Sequence, residues 1–125
     1  MTIFTPGLLA AGVLFILSLA SGVWLTHLGK PINLLIVTMH KLISLATVFF
    51  TGLAIYHLSR AAAISSSELS AMVVSGLLFL FLFITGALLS AGKPVNIVIS
   101  ATHKIAPLLS VISTAVTIFL LAGGR

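Results

Sequence analysis

The chain has 125 residues, of which 60% are hydrophobic and only 6% are charged, and its mean hydropathy is +1.35. A soluble domain of this length could not cover its surface with so few charged side chains, so the composition predicts an integral membrane protein. The formal net charge of +5 comes from basic residues near the ends of the apolar segments, which favours lipid headgroups and not nucleic acid as the partner. The absence of cysteine excludes disulfides, thiolate metal sites and iron–sulfur clusters.

Apolar segments predict four transmembrane helices, each about 20 residues or longer, which is enough to cross roughly 30 Å of hydrocarbon. The first covers about residues 7–27 and the second about residues 31–59. The third follows the serines at 65–67, which are candidate N-caps, with Glu68 in its first turn, and the fourth starts at about residue 94. The second and fourth begin with proline, which fits the first turn of a helix because its missing N–H is not needed there. Short connections favour an all-α, up-down four-helix bundle.

The second half of the chain repeats the first. The phrase GKPINLLIVTMHK in the first connection returns as GKPVNIVISATHK in the third, and the earlier stretch GVLFILSLASG returns as GLLFLFLFITG. We therefore predict a single membrane domain over residues 1–125, built from two duplicated helical hairpins at residues 7–60 and 69–122. Because two spans return the chain to the same side of the bilayer, the two hairpins are expected in parallel orientation.

The first segment has the length of the apolar part of a signal peptide. It matches the third segment, however, and no Lys or Arg precedes it, so we expect it to stay in the mature chain. Lysines collect on the side of the Gly-Lys-Pro connections, whereas Arg60 and Arg125 lie on the other side. This bias predicts a multi-pass protein of a prokaryotic plasma membrane, with those connections in the cytoplasm and both termini outside.

Each half carries one histidine well inside an apolar segment. His40 and His103 lie nine residues beyond the prolines of their segments, or about 13 Å along a helix. An ionisable residue at that depth faces the protein interior and marks a functional site. Helical spacing places polar residues on the same face and predicts one inward stripe per half: Asn33, Thr47 and Thr51 with His40, and Asn96, Ser110 and Thr114 with His103.

The stripes suggest a cofactor. In an up-down bundle the second and fourth helices lie on a diagonal, about 11–14 Å apart. Two inward imidazoles across that gap could hold a haem iron, so His40 and His103 are the predicted axial ligands of haem b. Lysines near the connections would neutralise its propionates, and small or hydroxyl-bearing residues would form the pocket. These residues are Lys30, Lys41, Lys93 and Lys104 for the propionates, and Gly22, Gly86, Thr47 and Ser110 for the pocket.

Inward histidines on separate helices, near a lysine-rich connection, resemble the small membrane b-type cytochromes, in the broad sense of cytochrome b561 and ferric-reductase-like four-helix haem domains. The resemblance covers the four-span layout and the two residues His40 and His103. It implies bis-histidine ligation and electron transfer to or from a quinone or a redox protein. Those domains usually carry a second histidine pair, whereas His27 and His57 lie at opposite ends of the predicted bundle, so one haem is expected here.

Two other functions fit the same pattern. A small transporter or channel would take an anionic small molecule at the polar stripe, beneath the lysines. A structural or assembly subunit would use the histidines only to hold helices together, because duplication copies a structural histidine as readily as a ligand. Zinc is disfavoured, since two histidines without Cys or carboxylate leave its coordination half empty. A homodimer is compatible with a chain of this size.

Overall fold

The computed structural model describes residues 6–29, 33–60, 63–91 and 94–123, and the regular structure within these ranges is α-helical. Each of the four helices is long and apolar enough to cross a membrane, judged by length and composition. The prediction of an all-α chain with four such helices is therefore confirmed. The helices are α1 (Pro6–Leu28), α2 (Leu34–Ser59), α3 (Ser66–Ser90) and α4 (Ile97–Ala122).

The third helix begins as predicted, because Ser65 and Glu68 form a capping box. The Ser65 hydroxyl accepts a hydrogen bond from the Glu68 amide at 3.2 Å, and the Glu68 carboxylate accepts one from the Ser65 amide at 3.0 Å. These bonds satisfy two amides that have no partner inside the helix. They also hold a negative charge at the positive end of the helix dipole.

The second and fourth helices begin three residues later than predicted. Asn96 is the N-cap of α4, and its side chain accepts a hydrogen bond from an amide of the first turn at 2.8 Å, so Pro94 precedes the helix. Asn33 makes the corresponding bond at 3.2 Å in α2, while Pro31 lies outside the described residues. An asparagine oxygen that satisfies a first-turn amide is the stronger start signal here. Both asparagines are exposed, so their assignment to the inward stripe is wrong.

The chain forms two compact units, Met1–His57 and Leu58–Arg125. In the first, α1 and α2 are joined by hydroxyl contacts, with the oxygens of Ser18 and Ser44 2.7 Å apart. Ser21, further along α1, contacts His40, which is earlier on α2. Because later residues of one helix meet earlier residues of the next, α1 and α2 are antiparallel.

The second unit has the same form. Ser75 on α3 contacts Ser113 on α4 at 2.7 Å and Thr117 at 3.0 Å. Further along α3, Thr85 contacts His103, which lies earlier on α4. The helices α3 and α4 are therefore also antiparallel, and each unit is a helical hairpin.

The described residues reverse the usual distribution of polarity in a soluble protein. Large apolar side chains are widely exposed, with Ile97 at 81% and Leu34 at 79% of full exposure. Side chains with hydroxyl groups are buried, including Thr47, Ser110 and Thr117. Small and hydroxyl-bearing residues inside, with branched apolar residues outside, are typical of helices that pack against one another in lipid.

Candidate functional site: two imidazole sites

The first site is built around His40, which α2 directs towards α1. The Nδ1 atom of His40 lies 2.8 Å from the Ser21 hydroxyl oxygen. The same hydroxyl donates its proton to the Ser18 carbonyl at 2.9 Å. A hydroxyl has only one proton to donate, so when Ser21 donates to the carbonyl its oxygen accepts from the imidazole, and on this basis we assign His40 the tautomer protonated on Nδ1. The lone pair then lies on Nε2, the position from which a neutral imidazole can bind a metal.

The second site is built in the same way around His103. Its Nδ1 atom lies 2.7 Å from the Thr85 hydroxyl oxygen. Thr85 donates to the carbonyls of its own helix, at 3.0 Å to Phe81 and 3.2 Å to Leu82, and is buried. With the Thr85 proton on a carbonyl, its oxygen accepts from Nδ1, and on this basis we assign His103 the same tautomer as His40.

A glycine lies against each imidazole. A Cβ atom added to Gly22 would come within 3.2 Å of the His40 Cε1 atom, and a Cβ added to Gly86 would come within 3.2 Å of the His103 Cε1 atom. No such contact occurs at Gly12 or Gly76, where an added Cβ meets nothing within 4 Å. Glycine at the first two positions thus lets the ring rest on the backbone of the neighbouring helix.

These residues define two matching sites. The first imidazole site consists of Ser21, Gly22 and His40, and the second consists of Thr85, Gly86 and His103. Sequence reasoning missed Ser21 and Thr85 as partners of the histidines. A signal was present, because the repeated phrases end in Ser-Gly and Thr-Gly and the antiparallel neighbour of each histidine had to lie near them.

The predicted propionate-binding lysines fall into two groups. Lys41 and Lys104 directly follow the histidines and are exposed. Adjacent residues on an α-helix point about 100° apart, so each ammonium group approaches the imidazole side of its helix only by bending its flexible stem around it. Lys30 and Lys93 lie outside the described residues, as does Arg125.

The hydroxyl part of the predicted stripe is buried. Thr47 and Ser110, the predicted pocket residues, are 2% and 0% exposed. Thr47 donates to the Ile43 carbonyl at 2.8 Å. One turn further on, Thr51 and Thr114 are also buried. The hydroxyl-bearing residues of the stripe therefore face inwards as predicted, whereas its asparagines do not.

Each imidazole site contains a single histidine as a possible metal ligand. Within the four described ranges, no cluster of three or more His, Cys, Asp or Glu side chains could hold a metal ion. A metal bound at either site would therefore take its other ligands from elsewhere, as haem iron does from its macrocycle. Comparisons of the chain with protein-family models, with curated proteins and with solved structures give no match. The residues of the two imidazole sites are therefore the grounds on which a function is inferred.

Proposed function

We propose that this chain is an integral membrane protein that binds haem b through His40 and His103 and transfers electrons to or from a quinone or a redox protein. One observation carries the proposal: the Nδ1 atom of each imidazole lies within hydrogen-bond distance of a hydroxyl oxygen that also contacts a carbonyl of its own helix, a geometry that suits a proton on Nδ1 and a lone pair on Nε2. Histidines that bind metals almost always donate their other ring N–H to a nearby acceptor, which fixes the tautomer and the orientation of the ring. The two sites carry this feature independently, one in each hairpin.

The residues around the histidines have distinct roles in this proposal. Ser21 and Thr85 accept the Nδ1–H and so raise the basicity of Nε2 towards iron. Gly22 and Gly86 give the rings space against the neighbouring helix. Lys41 and the other lysines of the Gly-Lys-Pro side neutralise the propionates. When bound, the haem supplies reversible one-electron exchange.

The membrane setting rests on the four apolar helices and on the repeated phrases. Helices of 23 to 26 residues with exposed apolar side chains suit lipid, where each helix satisfies its own backbone hydrogen bonds. Because the two hairpins match in sequence and each returns to its starting side, we expect them in parallel orientation, with His40 and His103 at the same depth. The excess of lysine near the Gly-Lys-Pro connections favours their location in the cytoplasm of a prokaryotic cell.

The test is an absorption spectrum of the full chain, purified in detergent, incubated with haemin, and recorded before and after reduction with dithionite. We expect the sharp reduced α-band of a low-spin, bis-histidine haem b. His40→Ala and His103→Ala should each abolish that band. His27→Ala and His57→Ala are matched controls, because these histidines are exposed near helix ends and belong to neither imidazole site.

Contrary results would have clear meanings. A folded wild-type protein that takes up no haemin contradicts the proposal and favours the structural-subunit or transporter hypothesis. A low-spin spectrum that survives either His40→Ala or His103→Ala contradicts ligation by both residues. A spectrum lost equally in the His27→Ala control would show that the variants act through folding and not through ligation, which circular dichroism of the same samples would reveal.

A further inference from the structure

Three buried hydroxyls behave differently from the other hydroxyls of the helices. Most threonines satisfy their hydroxyl by donating to a carbonyl of the preceding turn, which requires no other partner. The Oγ1 atoms of Thr51 and Thr114 and the Oγ atom of Ser110 are buried and have no hydrogen-bond partner among the described residues. The threonines that do bond to the preceding turn are Thr26, Thr38, Thr47, Thr85, Thr102 and Thr117.

The contrast is sharpest between Thr47 and Thr51. They lie one turn apart on α2, and each is only 2% exposed. Thr47 donates to Ile43, whereas the Thr51 hydroxyl has no hydrogen-bond partner among the described residues. On α4, Ser110 is 0% and Thr114 4% exposed. Burial of an unbonded hydroxyl costs free energy that valine or alanine would avoid, so these side chains call for a partner beyond those that the described residues provide.

We propose that Thr51, Ser110 and Thr114 bind ordered water within the apolar helices. Ser110 and Thr114 lie one turn apart on the same face of α4, with Cβ atoms about 5–6 Å apart, so a single water can bridge their oxygens. Thr51 occupies the position on α2 that Thr114 occupies on α4 in the repeated sequence. Carbonyl oxygens of the helices, each of which accepts a second hydrogen bond, complete the two to four bonds that a buried water requires.

The proposed water site on α4 lies beyond His103, counted from the start of the helix. Ser110 lies seven residues beyond His103, or about 10 Å along α4, and Thr114 lies about 16 Å along, on the side away from the Gly-Lys-Pro connections. The inference does not depend on haem, since it is drawn from the hydroxyls alone.

The experiment uses the full chain in detergent micelles, with the threonine methyl groups isotopically labelled for NMR. We expect cross-peaks between water and the methyl groups of Thr51 and Thr114. In the same micelles, Thr51→Val should lower the thermal unfolding temperature relative to Thr47→Val, by about 2–8 °C if one bound water is lost. Thr47→Val is the matched control, because it removes an equally buried hydroxyl whose partner is its own helix.

A bound water and a dry, unbonded hydroxyl predict opposite changes in the unfolding temperature of Thr51→Val. Removal of a dry, unbonded hydroxyl relieves a cost and raises the unfolding temperature, whereas removal of a water ligand lowers it. Absence of water cross-peaks at both methyl groups, or a Thr51→Val protein that unfolds at or above the temperature of Thr47→Val, would overturn the proposal. Thr114→Val provides a second variant should Thr51→Val fail to fold, with the same expected sign against Thr47→Val.

Discussion

In the first hairpin the helices are joined by one serine pair, Ser18 with Ser44, whereas in the second Ser75 contacts both Ser113 and Thr117. These contacts do not correspond in the repeated sequence. Pro107 stands where the first hairpin has Ser44, and the counterpart of Ser75 is Ala11 in the first hairpin, which has no hydroxyl. Hydroxyl contacts that only join helices are thus placed independently in the two hairpins.

The imidazole sites differ from this, because they correspond in every part. Each has a histidine, a glycine behind the ring and a hydroxyl that accepts from Nδ1, although the hydroxyl belongs to Ser21 in one hairpin and to Thr85 in the other. The bond is kept while the residue type changes. The repeated sequence thus preserves the contacts around each imidazole, whereas it does not preserve the hydroxyl contacts that only join helices.

The largest effect is expected from removing the hydroxyl acceptors. Ser21→Ala should release the tautomer of His40 and leave His103 unchanged, and Thr85→Val should do the reverse. Loss of such an outer partner typically weakens metal binding by about 10- to 100-fold, so haem affinity should fall by that order in either variant. Imidazole ¹⁵N shifts of the haem-free protein report the tautomer, and haemin titration reports the affinity.

Thr26→Val and Thr102→Val serve as controls for these variants. Both remove a hydroxyl that donates to a carbonyl of its own helix and not to an imidazole. If Ser21→Ala leaves the His40 ring shifts and the haem affinity at the values of Thr26→Val, the assigned role of Ser21 is wrong.

A smaller effect, on stability alone, is expected from the serine contacts. Interhelical hydrogen bonds between membrane helices contribute about 0.6 kcal/mol each on average. Ser75→Ala removes two such contacts and should lower the free energy of unfolding by about 1.2 kcal/mol, whereas Ser18→Ala removes one and should cost about half as much. Denaturation in mixed micelles measures both. An equal cost for the two variants, or a loss of haem affinity in either, would contradict the distinction between packing contacts and imidazole sites.

The smallest effect concerns the glycines, where the same substitution to alanine should raise stability at two positions and not at the other two. Gly12→Ala and Gly76→Ala place a Cβ in open space and should stabilise their helices by roughly 0.5–1 kcal/mol. Gly22→Ala and Gly86→Ala bring the same atom to 3.2 Å from an imidazole, so the gain should be cancelled or reversed as the ring is displaced. Thermal unfolding of the four variants tests this difference between the two pairs of glycines. Equal changes in all four unfolding temperatures would contradict it.

Much of the fold could be predicted because long apolar runs leave few alternatives to helices, and because Ser65 with Glu68 is an unambiguous start signal. The starts of α2 and α4 were harder, since proline and asparagine occur together and both are start signals. Asn96 prevails because its side chain bonds directly to a first-turn amide. Helical spacing was continued to Asn33 and Asn96, which precede the first residues of α2 and α4. For this reason the asparagines were wrongly placed in the stripe.

The two histidines could be identified from their depth in the apolar segments, but their tautomers could not be predicted from the sequence. The tautomer of His40 depends on whether the Ser21 proton goes to a carbonyl of α1 or to the imidazole, and these contacts involve three residues on two helices. Helical periodicity shows which residues of one helix share a face, but it does not show which residues of a neighbouring helix they contact. The missing bonds of Thr51 and Ser110 were hidden for the same reason.

The close fit of each ring against a glycine has an energetic consequence for binding. A histidine side chain in an open groove samples several rotamers, and a ligand must meet the entropic cost of selecting one. His40 and His103 are each held at Nδ1 and supported at Cε1 by the adjacent helix, so most of that cost is met when the hairpin folds. Each hairpin is in this sense preorganised, because folding alone already restricts the orientation of its imidazole.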